Sequence, residues 1–145
     1  SCFAIGEHGD SQSAPLSQVR VGGESLFDFI KNSPATLEGV DLEAAVHDAA
    51  FSGTDIIEGK GSTEFGIGAV LADTAKAMLF DEHRILPVSV LLKGQYGQFD
   101  VYAGVPAMVG GSGIEYVPEL PLLPEEEKAF GKSCDAIRRA IATLF

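Results

Sequence analysis

The sequence has no tryptophan, two cysteines and two methionines, and little positive charge: 10 lysines and arginines stand against 21 aspartates and glutamates. Each scarcity excludes something. A formal net charge of -11 argues against non-specific nucleic-acid binding, which needs Lys and Arg to displace condensed counterions. An anionic membrane surface would repel the chain as well. No run approaches the roughly 18 uncharged apolar residues of a membrane helix. No basic segment with a cleavage site precedes an apolar stretch, so a cytoplasmic location is expected. Cys2 and Cys134 have neither metal-ligand nor Cys-x-x-Cys spacing. Two reduced, largely buried thiols are the expectation, although spacing alone leaves a disulfide open.

What is present is enough for one packed domain. The hydrophobic fraction of 46% and charged fraction of 21% are those of a globular chain rather than a disordered one, and 145 residues suit one core better than two. The opening run Ser1-Cys2-Phe3-Ala4-Ile5 is apolar, lacks an initiator Met and leads straight into a motif. Mature domains usually open in polar, poorly ordered residues, so a piece of something larger is expected.

Periodicity and capping residues divide the chain. Residues 2 to 5 read as a short buried strand ending at Gly6, and Gly9 to Ser17 as a polar loop. Ser25 is placed to cap a short helix through Ile30, with Asp28 completing an imperfect capping box, and Asn32-Ser33-Pro34 ends it. Asp41 is a good N-cap for a long helix in which Leu42, Ala45, Val46, Ala49, Ile56 and Ile57 recur at three and four residues. Gly53 offers it a bend, and Gly59 and Gly61 punctuate its end. A second helix from Glu64 to Leu79 aligns Phe65, Leu71, Ala75 and Leu79. Strands are expected over Ile85 to Leu92 and Phe99 to Val105, the latter stopping at Pro106. Gly110-Gly111-Ser112-Gly113 then joins two short strands as a hairpin. Pro124 and three glutamates open a last helix, with Phe130, Cys134, Ile137, Ile141 and Leu144 on one stripe. Helices, antiparallel strands and a final helix make the class α+β.

Three histidines are candidates for proton transfer. His47 falls on the polar side of a helix, and His83 sits in the charged corner Asp81-Glu82-His83-Arg84; solvated or structural roles suit both. His8 differs, because it stands at a strand end beside Gly9, followed by Asp10, where glycine lets other groups come close. By itself this leaves acid–base work and a hydrogen-bonded structural role both open. No Ser–His–Asp order, metal-ligand pair or phosphate-binding loop can be built around it, and no metal is implied.

Gly6-Glu7-His8-Gly9-Asp10-Ser11 resembles the signature of the L-lactate dehydrogenases. The similarity continues through Lys60-Gly61-Ser62-Thr63, Leu86-Pro87-Val88-Ser89-Val90, Gly94-Gln95-Tyr96-Gly97, Gly104-Val105-Pro106 and Gly113-Ile114-Glu115, in the family's order across nearly all of the chain. The resemblance implies the family's C-terminal substrate domain, residues 1–145, with the N-terminal NAD-binding Rossmann domain lying outside it. It implies that His8 gives a proton to the carbonyl oxygen of a 2-oxo acid such as pyruvate while NADH gives a hydride. Thr63 then matches the threonine lining the substrate's side-chain pocket, and Ile67 the apolar residue packed on the nicotinamide. First-turn helix packing is the plain alternative for those two. The family's carboxylate-clamping arginine, orienting aspartate and glycine-rich dinucleotide turn are not in this sequence, so the chain alone is expected to be inactive.

Two departures stand out. Ala14-Pro15-Leu16-Ser17 replaces the family's usual Pro-Val-Trp-Ser, which alters the wall near the pocket. Ser1 occupies the place of the histidine that binds fructose 1,6-bisphosphate in activated bacterial members, so the resemblance does not carry that regulation over at this position. The readings that compete with a lactate enzyme are a malate or branched-chain 2-hydroxyacid dehydrogenase and a non-catalytic binding or oligomerisation domain. Lys60-Gly61-Ser62-Thr63 leans toward lactate. A homo-oligomer is implied for the full-length enzyme.

Overall fold

The computed structural model describes residues 2–33 and 39–144. Its centre is a three-stranded antiparallel sheet, β3 (Arg84–Lys93), β4 (Phe99–Gly110) and β5 (Gly113–Tyr116), with β4 in the middle. Before the sheet come a small hairpin of β1 (Arg20–Val21) and β2 (Glu24–Ser25), then α1 (Leu26–Asn32), α2 (Leu42–Lys60) and α3 (Phe65–Leu79); α4 (Pro124–Ala142) follows it. The class is α+β, as expected.

Strand alternation builds the core. Val101, Ala103, Val105 and Ala107 of β4 are buried, and they lie opposite Leu92, Val90, Val88 and Leu86 of β3. All eight therefore face one way. Phe130 and Cys134 of α4, with Ile5, close over one end of this face, and Ala77 of α3 packs on Leu86 and Val109 at the other. Burying a side chain such as Phe130 stabilises by about 1.5–3 kcal/mol, so α4 is held mainly by this stripe. Further along it Ile141 and Leu144 are exposed.

Most boundaries follow the local chemistry. Ser25 Oγ accepts from Asp28 N at 3.1 Å, and Asp41 accepts from the amides of Glu43 and Ala44 at 3.0 Å each. The long helix passes through Gly53 and Gly59 and stops at Gly61, whose φ of 90° ends it in the left-handed region. Pro34, expected to end α1, lies outside the described residues.

Four points depart from expectation. Residues 2 to 5 form no regular strand: only Ile5 and Gly6 make bridges, Ile5 is buried, and Cys2 is exposed. Cys2 is therefore not a buried thiol, whereas Cys134 is, and both are free. β4 does not stop at Pro106, because Pro106 pairs with Pro87. Opposite residues of an antiparallel pair alternate between exchanging hydrogen bonds and exchanging none, and two prolines facing each other spend both missing donors on one pair. Finally, the β1–β2 hairpin was not expected, although Gly22-Gly23 between its strands is a strong two-residue turn signal.

The two long helices are thinly covered. None of α2 is buried, and α3 buries only Ala77, leaving Phe65, Leu71 and Leu79 exposed. The end of α3 is tied to β3 by a bidentate pair, Arg84 to Asp73 at 2.6 and 2.8 Å. Among the described residues no helix is long and apolar enough to cross a membrane.

Candidate active site

The segment carrying His8 is fastened to the edge of the sheet. β5 pairs only with Met108, Val109 and Gly110 of β4, so that edge of β4 is open further back. Gly6 fills it at Gly104, with Gly6 N donating to Gly104 O at 2.8 Å and Gly104 N to Gly6 O at 2.7 Å. One residue earlier, Ile5 and Ser13 exchange bonds of 2.7 and 2.8 Å, which closes the intervening residues into a loop. Glycine is required at Gly6, and at Gly104 a side chain would be tightly confined. Gly6 has φ of 100°, and a Cβ there would overlap the Ser133 hydroxyl; a Cβ on Gly104 would stand 3.1 Å from Gly6 O.

His8 is exposed in this loop and makes no hydrogen bond or ion pair among the described residues. It lines a cleft of about 430 Å³ together with Glu7, Gln12, Pro87, Ser89 and Tyr102. An imidazole free at both nitrogens, on a fixed backbone beside a cleft of ligand size, is placed to exchange a proton with whatever enters.

Thr63 and Ile67 are not among the residues that line this cleft. Thr63 is exposed between α2 and α3 and lines a separate, almost wholly apolar depression with Ile56, Lys60 and Phe65. Ile67 is 51% exposed on the first turn of α3. Of the three expected residues the cleft holds His8. The hydroxyls of Ser89 and Tyr102 and the Gln12 amide were not foreseen as lining groups. Tyr102 had a signal, since strand alternation sends it to the face opposite the core.

The other histidines behave as expected. His47 is exposed, 3.6 Å from Asp48 and beside the Phe51 ring. His83 has Nδ1 2.6 Å from Glu115 and Nε2 3.4 Å from Asp81. Among the described residues, this trio alone has its donor atoms close enough to hold a metal ion. Both ring nitrogens, however, already face these carboxylates. The hydrogen bond to Glu115, then the charges of Asp81 and Glu115, raise its pKa above 6.5. The same carboxylates take Gly111 N at 2.6 Å and Ser112 Oγ at 3.0 Å. The glycine-rich turn is thus a hairpin whose first free amide is already spent.

Comparison with known proteins adds three findings. Residues 2–145 match the sequence profile of the lactate/malate dehydrogenase α/β C-terminal domain. The chain is 39% identical over 139 residues to an L-lactate dehydrogenase of Fusobacterium nucleatum, covering 96% of this chain and 44% of that protein. It is 40% identical over 145 residues to L-lactate dehydrogenase 1 of Enterococcus faecalis, covering 99% and 43%. Among solved structures, a minor L-lactate dehydrogenase from Enterococcus mundtii superposes with a TM-score of 0.92 at 32% identity, over all of this chain and 46% of the other. Malate dehydrogenase of Cryptosporidium parvum superposes at 0.91 with 31% identity, over 99% and 46%. The chain spans less than half the length of these relatives.

Proposed function

Because the chain belongs to the lactate/malate dehydrogenase family, as the α/β C-terminal domain of that family, we propose that it is the substrate-facing part of an NAD-dependent L-lactate dehydrogenase with His8 as proton donor and acceptor. The observation that carries this is His8 itself: exposed, unpartnered among the described residues, and held at the cleft mouth by the Gly6–Gly104 bridge. A histidine kept only for structure would have its ring nitrogens engaged, as His83 does.

In the proposed reaction the His8 imidazolium gives a ring proton to the carbonyl oxygen of pyruvate, and its charge polarises that carbonyl beforehand. NADH, when bound, supplies the hydride to the carbon. What this chain offers the cofactor is apolar surface: Ile67 stands among the uncovered Phe65, Val70 and Leu71 of α3. Such a wall fits the face of a nicotinamide ring and favours hydride transfer by keeping water away. It offers the phosphates nothing, having no Gly-x-Gly-x-x-Gly after a strand, so we assign their binding to an N-terminal half beyond this domain. Thr63 would contact the substrate's side chain. Thr63 and Ile67 do not line the His8 cleft, and their roles rest on the resemblance around Lys60-Gly61-Ser62-Thr63 and α3. The full-length enzyme is proposed to be a homo-oligomer.

The experiment is to assay pyruvate-dependent NADH oxidation by the chain alone and by the chain joined to an NAD-binding half. Turnover by the joined protein and none by the chain alone is expected. Turnover by the chain alone would overturn the division of labour. The likeness to a malate dehydrogenase structure gives a second reading its one support, and a preference of the joined protein for oxaloacetate over pyruvate would favour it.

A further inference from the structure

Helix α4 is hydrogen-bonded to the His8 loop at Ser133. Ser133 is wholly buried on the α4 face that also carries Phe130 and Cys134, and it is a hydroxyl in an otherwise apolar stripe. A buried hydroxyl costs stability unless its hydrogen bonds are made, and these are made to the loop. Glu7 N donates to Ser133 Oγ at 2.7 Å, and Ser133 Oγ lies 3.3 Å from Ser11 Oγ. Ser11 in turn donates to the Glu7 carboxylate.

The proton count fixes the direction. A carboxylate oxygen only accepts, so Ser11 spends its one proton on Glu7 and must accept from Ser133. The bonds therefore form a closed ring: Glu7 amide to Ser133, Ser133 to Ser11, Ser11 to the Glu7 carboxylate. Each hydroxyl accepts and donates in the same sense, and bonds in such a chain reinforce one another. Residue 7 is tied at backbone and side chain, Gly6 before it is pinned to Gly104, and Gln12 N closes the turn on Gly9 O at 3.1 Å. The direction in which the chain leaves Glu7 sets where His8 stands.

We propose that Ser133 is a positioning residue for His8, acting from α4 through this ring. The proposal rests on His8 being the acid–base residue. The absence of a Cβ on Gly6 is its counterpart, because any side chain there would displace the Ser133 hydroxyl.

The test compares Ser133→Ala with Ser133→Thr, which keeps the hydroxyl, and with Cys134→Ala, which opens the neighbouring core without touching the ring. Amide exchange at Glu7 is followed by NMR in the chain, and kcat and KM are measured with the chain joined to its NAD-binding half. In Ser133→Ala, Glu7 exchange rises at least about tenfold while Gly6 stays protected. kcat falls by roughly tenfold or more, as for a misplaced catalytic group, with KM for NADH unchanged. Ser133→Thr recovers both, and Cys134→Ala lowers the melting temperature while leaving both alone. Unchanged Glu7 exchange in Ser133→Ala, or the same loss of kcat in Cys134→Ala, would overturn the proposal. Failure of the lactate reading shows separately, as activity retained by His8→Asn, and the Glu7 exchange result does not depend on it.

Discussion

At Gly6 two constraints coincide, and both concern a missing atom. The backbone holds φ at 100°, which side chains with a Cβ adopt at a cost of about 1–3 kcal/mol, and a Cβ would press on the Ser133 hydroxyl, where overpacking adds a similar amount. Gly6→Ala is therefore expected to cost about 2–6 kcal/mol in urea unfolding. It should also disturb the Glu7 and Ser11 resonances more than those of the distant β5. A loss under about 0.5 kcal/mol, the range of an ordinary surface substitution, would show that the bridge tolerates a side chain. His8 was legible in the sequence because its flanking glycines and its motif are local. Ser133 was not, since a serine on a helix stripe carries no mark of the loop it meets, 126 residues away from Glu7.

At the scale of elements, the caps were read correctly wherever the capping group is adjacent in sequence, at Ser25, Asp41, Gly61 and Pro124. Errors arose where pairing decides. Pro106 looks like a strand end until Pro87 is found opposite it, and residues 2 to 5 look like a strand although among them only Ile5 is bridged and buried. The start of α4 shows how a cap also joins elements. Glu126 accepts from Leu123 N at 2.9 Å and from Ser17 N and Oγ at 3.0 and 2.6 Å, so one carboxylate binds the helix to the turn after the His8 loop. Burial alone would raise its pKa; the bonds from the Ser17 hydroxyl, Leu123 and the Ser17 amide outweigh that and lower it below 4.5. A group depressed on folding stabilises above its unfolded pKa, and the contribution is lost as pH falls through the folded value. Glu126→Gln should thus cost about 1 kcal/mol at neutral pH. The difference between the two proteins should close on acidification below pH 4.5, the ordinary value. Melting curves across pH 2 to 7 check this, and a difference that stays constant through that range would show the charge to be idle.

At the scale of the molecule, stability and function are set in different places. The core lies between β3, β4 and α4, whereas α2 and α3 leave long apolar faces uncovered, including Ile67 and Phe65. The chain covers less than half of its relatives' length. That Thr63 and Ile67 do not line the same cleft as His8 was not legible in the sequence, where motif order does not say which residues share a cleft. The central claim concerns His8. In the chain joined to its NAD-binding half, kcat for pyruvate reduction should fall by about 10²- to 10⁴-fold in His8→Asn, with the melting temperature unchanged because His8 bonds to nothing among the described residues. Activity within twofold of the parent protein would contradict the account, and His8 would then be a surface residue on a well-anchored loop.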